Sequence, residues 1–155
     1  MKLVKENRRG FQYQVSHKEA RSLRLLISQF PVGSLSAAKI SRSDPEALAR
    51  EQLLNESLAA HRRDLKRKAR RLIAPAKFEE LGNGKIFRMS IPMREMMLQI
   101  LNDIRVESWR ALGEPDNLET CAFGLPREKW KYYQFMCAAG FFEYQFLNLD
   151  GLDGK

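Results

Sequence analysis

The chain has little of what catalytic and metal-binding sites usually need. It contains two histidines, His17 and His61, and two cysteines, Cys121 and Cys137, and neither pair has metal-ligand spacing. The cysteines form no C-x-x-C pair and are too few for a disulfide framework, which favours two free thiols in a reducing compartment. G-x-S-x-G, phosphate-loop and G-x-G-x-x-G motifs are also absent. We therefore expect a protein that is not an enzyme and binds no metal and no cofactor.

Long hydrophobic runs are absent too. No segment reaches the roughly 20 apolar residues of a membrane span. The first ten residues, MKLVKENRRG, lack the apolar core of a secretory signal. A chain of 155 residues is most simply one domain. These observations predict a single domain over residues 1–147, a frayed tail over 148–155, a cytoplasmic location and no membrane contact.

Basic charge, in contrast, is plentiful and unevenly placed. The net charge is +8, yet residues 1–77 carry 18 basic and 7 acidic side chains, while residues 78–155 carry 9 basic and 12 acidic ones. The run HRRDLKRKARR at 61–71 holds seven Lys or Arg residues against one acid, Asp64. Such asymmetry favours an anionic partner without identifying it.

On a helical wheel, most of this run forms one basic stripe opposite the apolar arc of Leu58, Leu65, Ala69 and Leu72, and this stripe is expected to face solvent. Three interpretations stay open: a solvated surface without a partner, contact with nucleic-acid phosphates, or contact with an acidic protein. No aromatic residue lies in the stripe to stack on a base, so any nucleic-acid binding should be non-specific. The candidate binding residues are Arg62, Arg63, Lys66, Arg67, Arg70 and Arg71.

Strand and helix signals alternate along the chain. Alternating apolar residues predict one hairpin in KLVKEN and FQYQVS, and a second in KFEEL and KIFRMSI. Ser-x-x-Glu capping boxes at Ser16 and Ser43 start two helices, which end at Pro31 and Pro75, and 32–43 between them reads as a loop. Two further helices are predicted over 92–112 and 126–147. The expected fold is mainly helical α+β: a four-helix bundle-like domain around the 92–112 helix, with two short β-hairpins.

Four segments in this order resemble an uncharacterised bacterial family, "domain of unknown function 2017". They are VSHKEARSLRLLISQF, GKIFRMSIPMREM, ILNDIRVESWRALG and WKYYQFMCAAGFF, and the resemblance covers most of the chain. No activity is established for that family. Its gene neighbourhood in actinobacteria, beside the Clp protease adaptor, implies a role near proteolysis. The family's middle segment is acidic or neutral, so HRRDLKRKARR does not reflect the family's function.

Arg105 lies among apolar residues of the 92–112 helix, and an unpaired buried charge there would be costly. We expect it to form a structural ion pair, with Glu19 or Glu95 as the candidate carboxylates. The alternative is an anion site made by Arg105, Asn102 and Asp103.

The last helix has two apolar faces, one with Trp130 and Phe141, the other with Phe135, Phe142 and Phe146. Either both faces are buried within one chain, or one forms a homodimer interface. The predicted interface residues are Phe135, Phe142 and Phe146. Taken together, the sequence predicts a cytoplasmic binding or regulatory protein that acts through protein partners, with non-specific binding of nucleic-acid phosphates as the alternative.

Overall fold

The computed structural model describes residues 1–33 and 45–147. The strands are β1 (Lys2–Asn7), β2 (Gly10–Ser16), β3 (Phe78–Leu81) and β4 (Gly84–Met89). The helices are α1 (His17–Ser28), α2 (Pro45–Leu72), α3 (Ile91–Ala111), α4 (Leu118–Ala122) and α5 (Trp130–Leu147). Short 3-10 turns at Pro75–Lys77 and Arg127–Lys129 precede β3 and α5.

The two hairpins join into one antiparallel sheet of order β1-β2-β4-β3. The inner strands β2 and β4 pair in the register Phe11↔Met89 and Tyr13↔Phe87. The prediction of a four-helix bundle with two separate hairpins is therefore wrong. Each hairpin alone leaves an inner edge of unpaired backbone groups, and pairing those two edges satisfies them. Gly10 permits this close approach, because a Cβ there would collide with the carbonyl oxygen of Met89.

The chain is mainly helical, but its helices do not contribute equally to the core. α3 is central, with Met97, Ile100, Leu101 and Ile104 fully buried, and it packs most extensively on α5. α2 buries residues only in its C-terminal half, and α4 has five residues. A bundle needs four helices that cover one another along their length. Here the sheet supplies the cover that α2 and α4 do not.

Serine caps fix where the helices leave the sheet. The Ser16 hydroxyl accepts a hydrogen bond from the Glu19 amide at 3.2 Å, and the Glu19 carboxylate accepts one from the Ser16 amide at 2.8 Å. This confirms the capping box predicted at Ser16. Ser90 caps α3 in the same position after β4. The capping box predicted at Ser43, most of the predicted loop 32–43 and the predicted tail 148–155 lie outside the described residues.

Within the part of the chain that the structure describes, no helix has both the length and the apolar content that a membrane span requires.

Candidate functional site

The two faces of α5 have different surroundings. Phe142 and Phe146 belong to the core, where the Phe146 ring meets Tyr13 edge to face at 5.2 Å, and Phe135 is half-buried against that core. Phe142 and Phe146 therefore cannot line a homodimer interface while the fold is intact, which corrects the prediction for these two residues. On the opposite side of α5, Phe141 is 45% exposed and Trp130 is exposed as well.

A groove opens between α3, α4 and α5. Its volume is about 480 Å³, and its wall is apolar except for the Arg105 guanidinium at one end. A Cβ built on Gly140 would meet no atom within 4 Å, so α5 leaves the floor of the groove open at that position. The residues that line it are Arg105, Val106, Trp109, Leu118, Met136, Cys137 and Gly140.

The chain reversal after α3 builds one wall of this groove. Gly113 has φ +93° and ends the helix, in the left-handed conformation that glycine adopts without strain. The Trp109 indole N–H then donates to the Pro115 carbonyl at 3.2 Å, which holds the ring against the returning chain. The Asn117 side chain accepts from the Thr120 amide at 3.3 Å and starts α4, which places Leu118 in the wall.

Large apolar side chains next to the groove-lining segments are also exposed. Phe123 directly follows α4 and is 95% exposed, and Phe141 directly follows Gly140. An aromatic ring left in water loses roughly 2 kcal/mol or more relative to a buried one. Exposed apolar surface beside an apolar groove is typical of a protein-binding site. The sequence showed two apolar faces on α5, but it gave no sign of which face remains open.

The sequence predicted that Arg105 is buried, and this prediction is wrong. The side chain lies at the rim of the groove with 50% of its surface accessible. Its Nε lies 3.3 Å from the Glu143 carboxylate, and its Nη2 donates to the Asn102 side chain at 3.1 Å. Burial raises the pKa of Glu143, and the charge of Arg105 opposes that rise. The ion pair therefore exists, but with Glu143 in place of the predicted partners.

The two predicted partners of Arg105 lie elsewhere. Glu19 is engaged in the capping box and in an ion pair with the amino terminus, and Glu95 is exposed on the first turns of α3. Asp103, which the alternative prediction placed in an anion site with Arg105, contacts α2 instead. The helical phase explains this, because residues two apart on a helix lie on nearly opposite sides.

Arg62, a predicted member of the solvent-facing basic stripe, is instead 16% exposed between α2 and α3. Its Nη2 donates to Glu107 at 3.1 Å, and its Nε lies 3.7 Å from Asp103. Burial raises the pKa of Asp103, and Arg62 is the main charge that opposes the rise. The prediction is wrong for Arg62, which stands at the edge of the apolar arc and reaches acids that the sequence of α2 alone does not reveal.

The rest of the basic stripe lies at the surface. Arg63, Arg67, Arg70 and Arg71 are exposed, and Lys66 is half-buried. Asp64 pairs at 2.6 Å with both Lys68 and Arg67. The hydrogen bond from Lys68 lowers the pKa of Asp64 most, and the one from Arg67 lowers it further.

A second cleft, of about 460 Å³, is also lined by cationic side chains. Lys77 follows α2 through the 3-10 turn and lines the cleft together with Lys5, Arg9 and Arg88, of which Arg88 pairs with Glu79. Sequence reasoning missed this cluster, since its members come from three separate elements. The excess of basic residues before position 78 was the only signal for it.

The N-terminal half of α2 forms an arm, residues 45–58, in which no side chain is buried. Leu54 is 60% and Leu58 is 39% exposed. The sequence placed Leu58 on one apolar arc with Leu65, Ala69 and Leu72, and only these last three are buried. The apolar stripe of α2 therefore continues past the end of the body that it packs against.

No family model, curated protein or solved structure matches the chain. The resemblance to domain of unknown function 2017 accordingly stays a prediction. Among the described residues, no three His, Cys, Asp or Glu side chains are grouped so that they could hold a metal ion.

Proposed function

We propose that this chain is a non-enzymatic binding protein whose groove between α3, α4 and α5 takes an amphipathic helix of a protein partner. The groove itself carries the proposal, because it is apolar and open, and because exposed aromatic rings directly follow the segments that line it. Helical segments bind such grooves through apolar side chains spaced i, i+3 or i+4, and i+7. Arg105 at the rim adds a preference for a carboxylate beside that apolar stripe.

Selection of helical peptides on the protein tests this function. A library panned on the wild-type chain should yield peptides with an apolar stripe and a neighbouring acid, and these should not bind a Gly140→Phe variant. The new ring enters the groove without displacing any atom within 4 Å of its Cβ, so the variant should still fold. A Ser22→Phe variant, which adds the same ring to an exposed position of α1, should bind the peptides as the wild type does. Peptides that bind Gly140→Phe and wild type equally would contradict the groove as the binding site.

A second candidate function is contact with nucleic-acid phosphates, and the exposed cations of the α2 stripe, together with a cleft lined by further cations, favour it. Binding to duplex DNA should weaken linearly with log salt, with a slope of about −0.9 per phosphate neutralised. Different sequences should bind alike, because cations on a helix face position a phosphate backbone without reading bases.

A fourfold variant separates this candidate from the first. Glutamine at the four stripe positions should abolish DNA binding and leave folding intact, since glutamine is an adequate helix former. The positions are Arg63, Lys66, Arg67 and Arg70. A control with equal charge loss elsewhere should retain binding; its positions are Arg110, Arg127, Lys129 and Lys131. Salt-resistant preference for one DNA sequence, or failure of the stripe variant to fold, would contradict this candidate.

A further inference from the structure

We propose that the helix in the groove is the arm of a second copy of this chain, and that two copies exchange arms in a symmetric dimer. This inference rests on the proposed function, since it names the partner of the same groove. Each copy contributes one arm, residues 45–58, and one groove. Two identical contacts related by a two-fold axis close the assembly at two copies.

Among the described residues, no element covers the apolar face of the arm. Leu54 and Leu58 are one turn apart, and Leu58 continues to Leu65 at a spacing of seven, so all three share one face of α2. That face is core at Leu65 and is exposed at Leu54 and Leu58. At 1.5 Å per residue the arm is about 20 Å long, and Leu54 and Leu58 form its apolar face over about one turn at the C-terminal end. A second protein surface is what normally covers such a stripe.

The arm cannot fill the groove of its own chain. α2 is one continuous helix from Pro45 to Leu72, and Arg62 holds it against the side of α3 that carries Asp103 and Glu107. The groove opens on the side of α3 that carries Arg105 and Trp109. At 100° per residue these two sides of α3 are roughly opposite. A straight helix on one side does not reach the other, so any such groove that the arm enters belongs to another copy.

The charge of the arm favours binding of each arm in the groove of the other copy over packing of the two arms against each other. The arm carries three acids, Glu46, Glu51 and Glu56, and one base, Arg50, which pairs with Glu46 at 3.0 Å. Two arms packed together would bring these acids into proximity. The groove instead is lined by the cationic side chain of Arg105. Opposite charges across an interface favour association, and like charges oppose it.

Light scattering across a wide range of protein concentration tests the inference. The wild-type chain should be a dimer at high concentration and dissociate on dilution. Leu54→Glu and Leu58→Glu together should raise the dissociation constant by about ten-thousandfold, roughly tenfold for each of the four leucines, two per contact, that no longer pack. Leu53→Glu is the control, because Leu53 is also exposed but lies about 100° around the helix from Leu54, off the face shared by Leu54 and Leu58, and its replacement should leave the dimer intact. Gly140→Phe should block the dimer from the groove side, whereas Ser22→Phe should not.

Complementation identifies the arm-to-groove contact. The double arm variant keeps an intact groove, and Gly140→Phe keeps an intact arm. Each should be monomeric alone, while their mixture should form a heterodimer through one remaining contact, more weakly than the wild type. A heterodimer that is weaker than the wild-type dimer would support arm-to-groove contacts and would argue against a contact between two arms.

Several outcomes would overturn it. A wild-type chain that stays monomeric at every concentration would exclude a second copy as the occupant of the groove. Peptide selection on the groove would then test the proposed function independently. A dimer that persists in Gly140→Phe but not in the arm variant would indicate that two arms pair with each other. A dimer that survives the arm substitutions would place the interface elsewhere.

Discussion

Phe146→Ala is expected to lower the free energy of unfolding by about 3–5 kcal/mol, the usual cost of removing a fully buried aromatic ring. The ring has no exposed surface, lies edge-on to Tyr13 at 5.2 Å and contacts Phe142 at 6.5 Å between ring centroids. Removal of the ring would leave a cavity between α5 and the sheet. Thermal or denaturant unfolding of the dilute protein measures the change in the free energy of unfolding.

Phe141→Ala is the control for this prediction. Phe141 neighbours Phe142 on α5 but is 45% exposed, so its replacement should change stability by no more than about 0.5 kcal/mol. If Phe146→Ala left the melting temperature unchanged and altered only self-association, then Phe146 would lie in an interface, as the sequence alone suggested.

Arg62→Met is the second substitution with a large expected effect, a loss of about 2–3 kcal/mol. Removing the guanidinium leaves Asp103 and Glu107 close together at the junction of α2 and α3, without the cation that compensates for their burial. Breaking a buried ion pair in this way typically costs 3–5 kcal/mol, and partial exposure of Asp103 reduces that cost. Arg63→Met, one residue along and exposed, should have almost no effect.

The destabilisation by Arg62→Met should depend on pH. The folded-state pKa of Asp103 is already raised by burial, and the loss of Arg62 raises it further. A carboxyl whose pKa is higher in the folded state destabilises the fold once the pH exceeds its unfolded value. The difference between variant and wild type should therefore be largest at neutral pH and shrink as acid protonates Asp103. Equal stability of Arg62→Met and Arg63→Met at neutral pH would place Arg62 at the surface, as the helical wheel predicted.

Local signals in the sequence located most of the described elements. The capping box at Ser16, the glycine after α3 and the alternation in FQYQVS and KIFRMSI depend on neighbours within a few residues, and these features are readable from the chain itself. The pairing of β2 with β4 joins residues about seventy positions apart. No local pattern encodes that pairing, and for this reason a single sheet was missed.

In the candidate site, too, contacts between residues distant in the sequence were not predictable from local patterns. Arg62 stands at the edge of an apolar arc and Arg105 lies within one, and the sequence assigned Arg62 to solvent and Arg105 to the core. Their partners, Glu107 and Glu143, belong to other helices or lie far along the chain, and only the packing of α2, α3 and α5 brings them together. α5 is apolar on both sides, so hydrophobic periodicity does not distinguish its core face from its open face.

The fluorescence emission of Trp109 tests most directly whether the groove holds a helix. Trp109 lines the groove, and Trp130→Phe makes it the sole tryptophan of the chain. In that variant, raising the protein concentration should shift the emission to shorter wavelength, because the arm of a second copy displaces water from the groove. Adding Gly140→Phe should abolish the concentration dependence. A Trp109 spectrum that does not change over the concentrations at which light scattering shows assembly would contradict the groove as the binding site.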